Sequence, residues 1–391
     1  MAAACGRLHF DGLTDAASDG AGDSGGDGAA ACAATCTWGC VAGACNAPVA
    51  LATDAGHVCG LRRDGTVVCW GANYAGQIGD DTQSPHPTPF IVPGLTGVTA
   101  VAVGGGHSCA LTSTHHVMCW GENTTGQLGQ GDYNAVGHPV DVIGITDAIA
   151  IGAHDTSTCA VHQDGSVSCW GSLPTSQTSC GTYNASPMNM PTTIGAFTDG
   201  VDVAVGLAFG CVRRTNGAVS CWGANACGEL GNGTGAFSAS PVVVAGQTDT
   251  VIVSGWFSAC GIHADHSVSC WGMNTSGGLG DGTTNNALSP VAATAYGSVS
   301  SVSQSSNFGC AARTSGAVTC LGNSASGELG NGGGTGDVSG VDDATFVTTA
   351  FASGFAIRAR GDVVSWGDNS NYQLGDGTNM SSMVPVTVTP P

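Results

Sequence analysis

The chain contains 19 cysteines, and their spacing is its most regular chemical feature. Six pairs stand ten residues apart: Cys59 with Cys69, Cys109 with Cys119, Cys159 with Cys169, Cys211 with Cys221, Cys260 with Cys270, and Cys310 with Cys320. Folding such a segment back about a three-residue turn, for example at 63–65, sets position 59 opposite position 69. Cross-strand neighbours then have Cβ atoms about 4.5–5.5 Å apart, within reach of a disulfide. The other reading is that these cysteines serve as small core residues. A seventh segment bears on the choice. Phe355 and Ser365 hold the two matching places, so both cysteines are lost together, as bonded partners would be. Cys180 and Cys227 fall outside the series, each beyond a Trp-Gly pair in neighbouring units, and a bridge between units is expected there. Cysteine usage of this density is typical of oxidising compartments.

Other candidates are less regular. Cys32, Cys36, Cys40 and Cys45 lie in "CAATCTWGCVAGAC". Two local disulfides suit them better than zinc, because the spacing is not the common pair of two-residue gaps. Cys5 follows three alanines and precedes the Gly/Ala/Asp-rich run at 11–31. It resembles a bacterial lipoprotein attachment site without its upstream apolar segment, so lipidation of Cys5 is expected, with an unpaired thiol as the other reading. "GDSGG" at 22–26 matches a serine-protease nucleophile motif, but a linker offers no held histidine or oxyanion hole. His57 and His107 read as turn histidines bonded locally. The loops at Asp281-Gly282 and Asp376-Gly377 lack a full set of carboxylates for calcium. The chain has no Lys, so no phosphate-cradling loop can end in one. No metal, no cofactor and no enzymatic activity are expected.

These residues need elements to position them, and an internal repeat supplies them. Trp-Gly pairs recur at Trp70, Trp120, Trp170, Trp222, Trp271 and Trp366, and Leu321-Gly322 fills the sixth place. The steps are 50, 50, 52, 49, 50 and 45 residues. Within one unit four β-prone runs are visible, at 98–103, 108–112, 117–120 and 139–143, separated by Gly-rich turns. Asp64-Gly65, Asp164-Gly165 and Asn216-Gly217 are strong hairpin signals. Four antiparallel strands repeated seven times describe an all-β, seven-bladed β-propeller. Its blades are expected at 48–97, 98–147, 148–198, 199–248, 249–298, 299–343 and 344–391, after a flexible N-terminal linker at 1–47. The tail "MVPVTVTPP" is expected to pair with Val49–Ala52 and so lock the ring.

The motifs "GHSCALT", "CWGEN" and "GQLGQG" and the later "PVDV" of the second unit resemble the repeat of the regulator of chromosome condensation family. The likeness spans about residues 48–391 and every unit, and blade three departs most, where "SLPTSQTSCGTY" (172–183) replaces the Gly-Gln-Leu-Gly loop. The resemblance implies a propeller used as a protein-binding scaffold or as a guanine-nucleotide exchange factor for a small GTPase.

Charge bears on that choice. The formal net charge is −20, and all eight basic residues are Arg. Such a body repels polyanions at long range, which argues against nucleic acid. No apolar run reaches the roughly 18 residues of a membrane span. Membrane association is therefore expected only through a lipid anchor, and the chain is read as a monomer. Three residues after the first cysteine place, the units carry Arg62, Thr112, His162, Arg214, His263, Arg313 and Arg358. Equivalent positions of a propeller form a circle, so Arg62, His162, Arg214, His263, Arg313 and Arg358 are expected as a cationic ring. It would serve an anionic ligand or an acidic partner surface, or else consist of solvated turn residues. The sequence thus points to an extracellular or cell-surface interaction module, with nucleotide exchange as the alternative.

Overall fold

The computed structural model describes residues 36–42, 44–248, 251–334 and 336–391. After a two-stranded ribbon of Cys40–Val41 and Ala44–Cys45, seven antiparallel blade sheets follow one another along the chain, and the one helical turn among the described residues is a 3₁₀ segment at Thr294–Tyr296. Blade two is typical. Val98–Val103 is innermost, followed outward by His107–Thr112, Val117–Gly121 and Val136–Asp141. Most residues of each inner strand are buried, as in a strand walled by neighbouring blades. The turn after it is made of small residues where space runs out. A Cβ on Gly104 would lie 2.3 Å from the His107 ring and 2.6 Å from the Asp155 carbonyl oxygen.

The blades are welded face to face. One apolar cluster joins Leu111, Val117 and Leu128 of blade two to Ile151 and Trp170 of blade three, and others repeat this around the ring. Each buried tryptophan removes about 150–250 Å² from water, worth roughly 4–6 kcal/mol as an upper bound. A polar rivet accompanies it. Trp120 Nε1 donates to the Gln77 carbonyl oxygen of the preceding blade, and Trp170, Trp271, Trp366 and Trp70 do likewise to Gln127, Glu229, Glu328 and Gln373. His57 and His107 belong to the same seams and are not locally bonded. His57 Nε2 lies 2.9 Å from Ser108 Oγ, and His107 Nε2 lies 2.7 Å from Thr158 Oγ1, each on the next blade.

Blade six departs from the four-stranded pattern. It has only Val299–Gln304, Phe308–Arg313 and Val318–Gly322, with a single bridge from Thr319 to Asp337 in the outer position. The chain from Leu321 to Val338 is five residues shorter than the chain from Trp120 to Val142. Its "NGGGTGD" has no apolar side chain with which to pack a strand. The missing tryptophan is compensated as well. Tyr296 is fully buried, and its hydroxyl donates to the Gly278 carbonyl oxygen, the place a tryptophan indole serves elsewhere.

Ring closure differs from the expected exchange of termini. Pro48–Thr53 is the inner strand of blade one, and Ser382–Thr387 is the outer strand of blade seven. Each blade is therefore contiguous in sequence, because the first unit already contains four strands in phase. Apolar packing closes the seam instead, together with Thr53 Oγ1 donating to the Thr349 carbonyl oxygen. Part of the expected linker, at 36–42 and 44–47, is built into the ring. These residues cover this seam, with Trp38 and Ala47 packed beside Leu51, Phe346 and Ile357. Cys36–Cys45 is a disulfide, not half of a zinc site. Cys5, Cys32, "GDSGG" and the run at 11–31 lie outside the described residues.

Candidate functional site

The six cysteine pairs of the repeat are direct cross-strand partners, with Cα atoms 4.0–4.1 Å apart, and all six are bonded. Cys59 is joined to Cys69, Cys109 to Cys119, and Cys159 to Cys169. In the later blades Cys211 is joined to Cys221, Cys260 to Cys270, and Cys310 to Cys320. The two readings of these residues are not exclusive, since every one of the twelve is also buried in the core. They fasten the two central strands of blades one to six and leave none of these twelve thiols free to bind or react. In blade seven Phe355 faces Ser365 in the same register.

Cys180 is bonded to Cys227. The bridge ties a long hairpin, Val167–Ser179 with Thr182–Thr193, to the loop of blade four. Gln177 Oε1 on that hairpin accepts the backbone N–H groups of Asn225 and Ala226. Eight bridges form among the described residues, and they point to an oxidising setting.

The expected cationic ring is not a set of available charges. Arg62 is buried and donates to the carbonyl oxygens of Trp38 (2.8 Å) and Asn46 (3.0 Å). Arg214 pairs with Asp199 at 2.9 Å, Arg313 with Asp337 at 3.1 Å, and Arg358 with Asp343 at 2.7 Å. His162 sits between Asp147 and Ser168, and His263 Nε2 lies 2.8 Å from Ser269 Oγ. The reason is local. The link into the inner strand carries an aspartate, at 147, 199 and 343, directly beside the second hairpin. These residues fasten one end of each blade. The loop aspartates are likewise occupied. Asp281 accepts from Asn274 and Thr283, and Asp376 from Asn369 and Thr378.

A different group meets at the opposite end of the ring, where the turn after each inner strand approaches the axis. Asp54 comes from blade one, His154 and Asp155 from blade three, Trp256 from blade five and Phe351 from blade seven. Blade two offers only Gly104–Gly106 there, so Asp54 reaches past it and accepts the backbone N–H of Asp155 at 2.6 Å. Trp256 makes edge contacts with His154 on one side and Phe351 on the other, both at 5.3 Å between ring centres. Phe351 is 49% exposed, while Asp54 is 3% exposed. Tyr74, on the adjacent loop, donates to the Gly105 carbonyl oxygen. Glu122 is close by, since a Cβ on Gly106 would meet both Glu122 Oε2 and Tyr74 Oη.

Below Trp256 lies a cavity of about 10 Å³, room for one water-sized group. Its walls include Thr53, Asp54, His154, Ser254 and Ser303. Asp54 Oδ1, His154 Nδ1 and Ser254 Oγ are buried here with no hydrogen-bond partner among the described residues. The 3.7 Å approach of His154 Nδ1 to Asp54 Oδ2 is too long for a hydrogen bond. It is also not an ion pair, because burial holds His154 down at about 4 and so neutral. Burial pushes the Asp54 carboxyl up to about 7, against a smaller lowering by the Asp155 N–H. Asp155 is raised too, by burial and then by the Asp54 charge. Every arginine among the described residues lies at the second hairpins, at the far end, so these carboxylates have no nearby counter-charge.

Fold and repeat together define a β-propeller of seven blades. Models described as Regulator of chromosome condensation (RCC1) repeat match residues 64–111, 115–161 and 360–391, and also 98–127 and 201–229. The chain thus carries RCC1 repeats. No curated protein matches it. Among solved structures it is similar to yeast RCC1 (Prp20), crystallised with Kap60, at 18% identity over 88% of this chain and 85% of that one, with a TM-score of 0.71. Human WBSCR16 is similar at 18% identity over 83% and 94%, with a TM-score of 0.71. The ectodomain of the Physcomitrella patens receptor kinase CR4 is similar at 19% over 82% and 74%, with a TM-score of 0.51. Likeness at this level concerns the fold.

Proposed function

We propose that this chain is an extracellular or cell-surface interaction module that binds a protein partner on the face carrying the axial mouth. The observation that carries the reading is the uncompensated group of Asp54, Asp155 and Glu122 among Trp256, Phe351 and Tyr74, held at the centre of a disulfide-stapled ring. Aromatic side chains bring large contact area at low entropic cost, and carboxylates select a basic partner surface. The net charge of −20 would draw such a partner in from a distance. The occupied arginines turn the earlier expectation of an anionic ligand toward a cationic one. Attachment through lipid on Cys5 belongs to the proposal and rests on the sequence around it alone. Nucleotide exchange is not adopted, since a nuclear setting would keep the thiols reduced.

A photo-crosslinking residue placed at exposed Tyr74, in protein returned to its native host, tests the face. Adducts are expected from Tyr74 and not from Arg360 at the opposite end. Adducts from Arg360 alone would reverse the assignment. Recovery of the protein only from the cytosol would end the extracellular reading.

A further inference from the structure

The axial cavity has a chemistry narrower than a general acidic surface. Three polar atoms from three side chains, Asp54 Oδ1, His154 Nδ1 and Ser254 Oγ, are buried around it without hydrogen-bond partners among the described residues. One of these is a carboxylate, and no arginine among the described residues lies at this end of the ring. The space takes one water-sized group. A planar guanidinium is too large for it, while a primary ammonium is of that size and offers three donors. Neutral His154, the Asp54 carboxylate and the Ser254 hydroxyl can each accept one. The approach suits a flexible aliphatic stem. Trp256 lines the cavity, and exposed Phe351 extends the aromatic wall outward from it. Aromatic faces attract ammonium groups and pack against methylenes.

We propose that the axial mouth is a receptor for a primary ammonium, presented as a lysine side chain of the partner and seated between Asp54, His154 and Ser254 with its stem against Trp256 and Phe351. The inference deepens the binding reading of the same site and rests on it. This chain has no lysine of its own, so a second copy cannot supply one.

The test uses the full chain with its disulfides intact. The probe is N-acetyl-lysine methylamide, followed through the indole N–H resonance of Trp256, which Trp256→Phe assigns. A saturable shift is expected. It should be absent with N-acetyl-arginine methylamide and with the Nε-acetylated lysine probe. Asp54→Asn keeps an acceptor for the Asp155 N–H and should weaken binding at least about thirtyfold, as removal of one partner of a buried charge pair does. Phe351→Ala alters an exposed side chain, so it leaves the fold intact, and it should weaken binding about threefold to tenfold. An equal response to sodium or ammonium chloride at matched concentration would overturn the lysine assignment in favour of a free-ion site. No response, or the same affinity in Asp54→Asn, would overturn the inference altogether. Tyr74 adducts that persist after acetylation of the partner's lysines would sink this inference while leaving the interaction-module reading standing.

Discussion

Acid should unfold this protein through two histidines in the blade seams. Burial depresses His57 to about 3 and His107 to about 4, with a further push on His57 from the His107 charge. Both folded-state values lie below the ordinary 6.5. The stability they contribute is therefore complete above pH 6.5 and is lost as pH falls through the folded values. At about 1.4 kcal/mol per pH unit, the full spans are roughly 5 kcal/mol for His57 and 3 kcal/mol for His107, on the scale of a whole domain's stability. Asp54 acts in the opposite sense. Its folded value of about 7 is raised, so its contribution is lost as pH rises and regained as pH falls. Comparing two proteins removes that offset. His57→Gln combined with His107→Gln keeps a neutral donor toward Ser108 and Thr158 but cannot take up a proton. Near pH 5 the slope of unfolding free energy against pH should be steeper in the parent by nearly two protons, about 2.5 kcal/mol per pH unit. Urea titration followed by tryptophan emission, with disulfides intact, measures this. Parallel curves for the two proteins would refute the reasoning.

Three further outcomes follow from the seams and staples. Trp120→Phe loses the indole bond to Gln77, whereas Trp222 makes no such bond because blade three has no Gly-Gln-Leu-Gly loop. The urea midpoint should therefore fall further for Trp120→Phe than for Trp222→Phe, by about 1–2 kcal/mol. Tyr296→Phe should cost about 0.5–1.5 kcal/mol by removing the hydroxyl donor of the buried Gly278 carbonyl, which keeps its bond from Gln304 Nε2, read in the same titration. Replacing Cys180 and Cys227 together by Ser opens a closure of 47 residues, worth about 4 kcal/mol in the chain-entropy model. New proteolytic cuts should then concentrate at 173–190, and cuts spread evenly over the ring would contradict this.

Much of the fold was legible because the repeat states it seven times. Strand boundaries in blade two fall within a residue or so of the runs read from sequence, except for the outer strand, which starts three residues earlier. The cysteine pairing was legible because Phe355 and Ser365 depart together. The absent strand of blade six was also written in the sequence, as the 45-residue step before Trp366, but a short step alone does not say which element is lost. Neutralisation of the ring is legible only when Asp147, Asp199 and Asp343, just before the inner strands, are set beside His162, Arg214 and Arg358. The axial mouth left no comparable signal. Asp54, His154, Trp256 and Phe351 occupy similar places in four units, yet their types do not repeat. Only closure of the ring brings them within contact, and only burial makes the Asp54 carboxylate unusual.

The most direct test of the account is a thiol count on protein from its native host, by alkylation and intact mass before and after reduction. The sixteen cysteines of the eight described bridges should resist alkylation until reduced. If most of them alkylate without reduction, the ring is not stapled in its own compartment, and the extracellular binding role fails with it.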